Sequence, residues 1–194
     1  STADPNFLHE TVTHIEENVG PIHCAVYNIG AQIGNRTIAK TSYRIFGLAL
    51  NMGVTGAFAV AKECSPYMIK RGSGTIILTS STAAYRGNRG QHAHTAAMGA
   101  RKNLSQSLNH ELGPQGIHVV HVCLDGPVAS PETIGLLMPK MYEKMMESKK
   151  PNDEMILPEN VADTYWYLYS QPRSNWTLDL DIRPWKENPW MNSA

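Results

Sequence analysis

Four short apolar runs, separated by stretches of helical periodicity, most constrain what this chain can fold into. The runs are Ile22–Asn28, Thr75–Thr79, Ile117–Leu124 and Trp176–Ile182, and each reads as a strand. Between them the pattern changes to helical spacing. Asp4-Pro5 starts a helix predicted to run to about Val19, with Phe7, Leu8, Val12 and Ile15 on one face and Gly20-Pro21 as its stop. A long helix is predicted from about Leu48 to Lys70, ended by Arg71-Gly72-Ser73-Gly74. Another covers Ala93–Gly113, where Ala100, Leu104, Leu108 and Leu112 form an apolar stripe. Pro131–Ser148 is helical but interrupted at Pro139, and Pro158–Ser170 gives a further helix. Strands alternating with helices predict an α/β fold, a parallel sheet covered on both faces. No internal repeat or low-complexity tract interrupts the pattern.

The first run is apolar on both faces, as in an interior strand of a parallel sheet. At an edge it would present unpaired backbone beside an apolar surface, so something is expected to pair with it, either further chain or a partner subunit. The 194 residues suit one domain with a single core. Seventeen basic residues balance seventeen acidic ones, and this lack of a basic surplus argues against gripping nucleic acid or anionic lipid. No uninterrupted apolar run approaches the ~18 residues of a membrane span, and the N-terminus carries no signal-peptide pattern. Cys24, Cys64 and Cys123 are odd in number and lack CxxC spacing, which suits reduced thiols in an intracellular compartment, cytoplasm or organelle matrix.

Several polar and aromatic groups invite chemistry. His92-x-His94 suggests a metal, but no Asp, Glu or Cys stands close by in sequence, so no metal site is assigned. His118 and His121 share a strand at odd and even positions and should face opposite sides of the sheet. Met138, Met141, Met145 and Met146 gather before Lys149-Lys150, either as adaptable packing or as a flap over a ligand. Trp166 and Trp176 are expected in the core. Trp185 and Trp190 lie past the last strand, where they either dock on another subunit or fold back on their own sheet.

The runs GPIHCAVYNIG, TGAF, GTIILTSSTAAYRGNRGQ, LSQSLNHELGPQGIHVVHV and DGPVAS, in this order and spacing, resemble the short-chain dehydrogenase/reductase family. The resemblance covers nearly the whole chain. It implies a doubly wound, Rossmann-like sheet that binds NAD or NADP and transfers hydride to or from a carbonyl or alcohol. In that family a Ser holds the substrate oxygen, a Tyr moves its proton, a Lys lowers the Tyr pKa and holds the ribose, and an Asn keeps a water in the relay. A phenol with a pKa near 10 needs such a cation to act near neutrality. Carried over by position, Ser81 stands in the Ser place, His94 in the Tyr place, Met98 in the Lys place and Gly53 in the Asn place. Asn51 is out of register by two. Met98 supplies no charge, whereas imidazole titrates near 6.5 and can pass a proton.

The resemblance further implies that the chain lacks the family's first three strands, roughly 60 residues of βα units, and with them the glycine-rich phosphate turn. What is present would line the nicotinamide end through Asn28, Gly30, Asp125, Gly126 and Val128. Residues 1–182 would form the dehydrogenase-like domain and 183–194 an aromatic tail. Two functions follow. One is a catalytically silent relative acting as a structural or assembly subunit, a homo-oligomer or part of a larger assembly. The other is an NAD(P)-dependent oxidoreductase with His94 or water carrying the proton and its N-terminal cofactor-binding part lying outside this sequence.

Overall fold

Helix α1, Pro5–Asn18, begins as the sequence predicts, because the Asp4 carboxylate accepts from the backbone N–H groups of Asn6 (3.1 Å) and Phe7 (3.3 Å). The structure is a computed structural model describing residues 4–30, 36–136, 138–147 and 154–187. Trp190, Lys149 and Lys150 lie outside the described residues. After α1 come β1 (Cys24–Tyr27), α2 (Tyr43–Leu50), α3 (Gly56–Arg71), β2 (Gly74–Ser81), α4 (His92–Leu112), β3 (Ile117–Leu124), α5 (Pro139–Met146), α6 (Pro158–Tyr169) and β4 (Asp179–Ile182). Every neighbouring pair is parallel, as the alternation predicts, and the sheet order is β1-β2-β3-β4, as the family resemblance implies.

The differences from expectation have local causes. The long central helix starts at Tyr43 rather than Leu48, because the Ser42 hydroxyl caps it by accepting from Ile45 N–H (3.2 Å). Asn51–Thr55 is a π turn joining α2 to α3. This helical run, Tyr43–Arg71, is apolar and long enough to cross a membrane by composition. In the fold Ala57, Ala61, Cys64 and Met68 are buried on its inner side. Strand β2 extends to Ser81 because β3 pairs with it along eight positions, Gly74↔Ile117 through Ser81↔Leu124. Strand β4 is shorter than predicted. Trp176 instead stacks on the His118 ring (centroids 5.1 Å), and the Thr177 carbonyl meets His118 Nε2 at 2.8 Å.

Two apolar layers enclose the sheet. One joins Leu8 and Val12 of α1, Ala61 and Met68 of α3, and Leu112 of α4 to Ile76, Leu78 and Val119. The other sets Leu168 of α6 against Ile77, Val120 and Val122. Strand β1 is the outer strand among the described residues, and Val26 is 43% exposed there. Trp166 is 67% exposed on the outer side of α6, so it is not the core residue expected from the sequence; Trp176 is half-buried. On α5 and just before it, Met141 and Met145 are half-buried while Met138 and Met146 are exposed, which gives an amphipathic turn rather than a packed cluster.

His118 and His121 do face opposite sides of β3. His121 Nδ1 meets Asp179 Oδ1 at 2.6 Å, and Asp179 also takes Lys102 Nζ and accepts from the Tyr85 hydroxyl (3.1 Å). Burial drives both imidazoles below their ordinary pKa, His121 despite Asp179. Burial alone would raise Asp179, but hydrogen bonds from Lys102 and His121 outweigh it and hold the carboxyl below its usual range.

The unfolded chain therefore takes up protons below about pH 6.5 that the folded imidazoles resist. Their contribution is complete above that pH and is lost as pH falls, at no more than about 1.4 kcal/mol per pH unit for each ring. Asp179 adds a second loss below roughly pH 4. Urea titrations should show stability falling from neutral to mildly acidic pH, and His118→Gln should flatten that slope. A pH-independent midpoint would contradict the assignment.

Packing gives a second test. A Cβ at Gly56 would lie inside contact distance of the buried Tyr27 hydroxyl, while one at Gly47 meets nothing within 4 Å. Gly56→Ala should cost about 1–3 kcal/mol by overpacking. Gly47→Ala, in an open helical position, should stabilise by up to about 1 kcal/mol. Thermal melts of the pair check both signs.

Candidate active site

The strands end on one rim, and the polar residues gather there. Ser81 closes β2, and a 3-10 turn at Thr82–Ala84 leads toward α4, whose first turn carries His94. Ser81 Oγ and His94 Nε2 lie 3.0 Å apart and share a hydrogen bond. The structure thus brings together the Ser and Tyr places of the sequence reading.

One turn along α4, Met98 is 2% exposed, and the Ser80 hydroxyl donates to its sulfur at 3.5 Å. The Lys place is a buried thioether packed against the end of β2. Gly53 sits in the π turn with no side chain to offer, but its backbone carbonyl accepts from Arg101 Nε at 2.5 Å. Asn51 is exposed, and its Oδ1 accepts from Thr55 Oγ1 at 3.5 Å.

Arg101 is the residue that sequence reasoning missed. It follows Met98 by one helical turn on the same face of α4 and is 1% exposed. Nη1 donates to the Thr79 carbonyl, and Nη2 donates to Ile29 O (2.7 Å) and Met52 O (3.2 Å). The guanidinium also lies 4.9 Å from the Tyr27 ring centroid. Burial lowers its pKa to about 10, so it remains cationic at neutral pH. Its trace in the sequence is its place one turn after Met98 on the His94 face; its burial, rare for a charge, and its carbonyl partners come from the fold.

Two cavities meet on this rim. One of about 250 Å³ is walled by Ser81, His94, Met98, Arg101, Asn28 and Gly126. Through Asn28, Gly30 and Leu124 it continues into one of about 620 Å³ bordered by Val128, Ser130 and Tyr165. Thr79 Oγ1 and the Tyr165 hydroxyl are 2.5 Å apart between them. Four of the five residues expected near nicotinamide line this cleft. Asp125 does not; it is 6% exposed, and its N–H donates to Ile182 O (2.7 Å), tying β3 to β4. Gly126 adopts φ +153°, and a Cβ there would strike Pro184, so glycine is required. His92 and His94 belong to no group of three ligating side chains among the described residues.

The larger cavity suits a flat ring better than a diphosphate. No Lys or Arg borders it among the described residues, and Glu132 stands on its rim. Asn28, Gly30 and Val128 would hold the nicotinamide end of a dinucleotide, which when bound supplies or accepts hydride. Ser81 would hold a substrate oxygen, and His94 would move a proton at Nε2.

Met98 and Arg101 are also coupled. A lysine at 98 would place a second cation in the space Arg101 already charges. Met98→Lys should destabilise by about 3 kcal/mol or more, and Met98→Leu by less than about 1.5 kcal/mol. In an Arg101→Met background the lysine penalty should shrink, a coupling that a double-mutant cycle reads directly.

Comparison with known proteins identifies the family of the chain. Residues 2–178 match a family model described as Enoyl-(Acyl carrier protein) reductase. The chain is 29% identical over 159 residues to the inactive 2-(S)-hydroxypropyl-CoM dehydrogenase 2 of Xanthobacter autotrophicus, covering 80% of this chain and 68% of that protein. It is 26% identical over 174 residues to the 3-oxoacyl-(acyl-carrier-protein) reductase FabG of Thermotoga maritima, covering 90% and 69%. A short-chain dehydrogenase structure from Rhodopseudomonas palustris superposes with a TM-score of 0.75 at 27% identity, covering 95% of this chain and 72% of that one. A gluconate 5-dehydrogenase from Burkholderia cenocepacia, solved with NADP and tartrate, shares the fold at a TM-score of 0.77 and 16% identity, covering 94% and 71%. With its parallel sheet, its Ser81–His94 rim and a family match across most of its length, the chain belongs to the short-chain dehydrogenase/reductase family of NAD(P)-dependent oxidoreductases.

Proposed function

We propose that this chain is a catalytically silent member of the family that works as a structural or assembly subunit. The observation that carries this reading is Met98. Its thioether fills the Lys place against Ser80, and the neighbouring cation, Arg101, is committed to carbonyl oxygens. The Lys place thus brings His94 no ammonium of the kind that tunes the family's proton donor near neutrality. The name of the Xanthobacter relative, an inactive dehydrogenase, is consistent with this.

The assembly part rests on exposed aromatics. Trp166, Tyr167 and Leu178 are 67%, 59% and 46% exposed, and Trp185, just past the buried Pro184, is 82% exposed. Large aromatics at such exposure are favoured as interface anchors. A homo-oligomer, or a place in a larger assembly, covers them.

A second reading is favoured by the intact Ser81–His94 hydrogen bond. In it Ser81 would hold a carbonyl oxygen and His94 Nε2 would donate the proton that completes the alcohol, the hydride being what a pyridine nucleotide would supply when bound.

The test mixes purified protein with NADH or NADPH and a panel of ketones and aldehydes, following absorbance and thermal shift. The silent reading expects no turnover above buffer. Nucleotide oxidation that saturates with substrate and falls at least about 100-fold in His94→Phe, the scale of a general acid, would establish the second reading and overturn the first. Light scattering on the same material should show a species larger than one chain; a monodisperse monomer would sink the assembly role.

A further inference from the structure

Among the described residues, the Arg101 guanidinium is a buried charge without a counter-charge. Its acceptors among the described residues are the neutral carbonyls of Ile29, Met52, Gly53 and Thr79. The groups that act on its charge are two phenols, Tyr27 and Tyr165, and burial raises the Tyr165 pKa and keeps it neutral. The salt bridges of the described residues involve Arg71, Lys102, Lys186, His9 and His121, and none involves Arg101. Buried charges are normally paired. A guanidinium has five N–H donors; four serve these carbonyls, and one on Nη1 remains among the described residues. Arg101 also walls the 250 Å³ cavity, which the hydroxyl of Ser81 and the imidazole of His94 line as well.

We infer that this cavity binds a small carboxylic acid bearing a hydroxyl or carbonyl group, its carboxylate answering the Arg101 charge and its other oxygen meeting Ser81 and His94. The volume admits a molecule of a few carbons, and the hydroxyl–imidazole pair supplies one donor and one acceptor to the uncharged end. Met98 adds apolar lining to the same cavity. The site requires no turnover. It therefore goes beyond the silent-subunit reading, and an oxidised nucleotide would overturn that reading while leaving this one intact.

The probes are 3-hydroxybutyrate and its neutral isostere 3-hydroxybutyramide, titrated into the intact chain while His94 and arginine side-chain resonances are followed by NMR. The acid should shift the His94 signals saturably and bind at least about tenfold tighter than the amide, as expected for a charge pair at partly buried distance. Arg101→Lys should keep the preference and Arg101→Met should abolish it. Should Arg101→Met fail to fold, the acid–amide ratio on the unmodified protein decides alone. Equal affinities, a preference that survives in folded Arg101→Met, or no binding of the acid at millimolar concentration would overturn the inference.

Discussion

A single guanidinium ties together the parts of this molecule that meet at the strand ends. Arg101 reaches from α4 to the segment after β1, to the β2 backbone and to the π turn, four connections made by one side chain. Charge-assisted hydrogen bonds are stronger than neutral ones, and removing the donor would leave carbonyls buried without partners. The π turn contributes by presenting Met52 and Gly53 carbonyls sideways. Met52 accepts from the Tyr27 hydroxyl as well, at 2.6 Å. The rim is therefore held by polar bonds above an apolar core.

The same residue explains why the family's proton machinery looks as it does here. A charge occupying the floor of the cleft is hard to reconcile with another one turn away, so a thioether at 98 and a guanidinium at 101 form a compatible pair. Gly53 fits this account, because a backbone carbonyl is all that Arg101 needs from that position. The buried charge of Arg101 and the Ser81–His94 hydrogen bond thus line the same cleft.

Much of the fold was legible because periodicity and stop signals dominate it. Strands β2 and β3 are buried on both faces and announce themselves as apolar runs, while Gly20-Pro21 and Gly72 mark helix ends. What was not legible depended on tertiary partners. Trp176 leaves the predicted strand to stack on His118, and Trp166 sits outside because its helix buries Leu168 instead. The site followed the same division. The family resemblance pairs Ser81 with His94, but Arg101 could not be placed, since its role comes from carbonyls 22 to 72 residues away in sequence.

The five residues of the π turn carry a consequence for the helix that follows. Each residue advances an α-helix by about 100°, and a π turn holds one residue more than the α geometry it replaces. The inward row of α3, Ala57, Ala61, Cys64 and Met68, keeps its phase because the wider turn takes up that extra residue. Were the same five residues wound as plain α-helix, each later position would turn by one residue, and Val60, Glu63 and Tyr67 would swing toward the sheet, driving a carboxylate into the apolar layer. The widened turn is thus a phase-setting joint, seating one residue more between Leu50 and Gly56 without rotating the helix that follows.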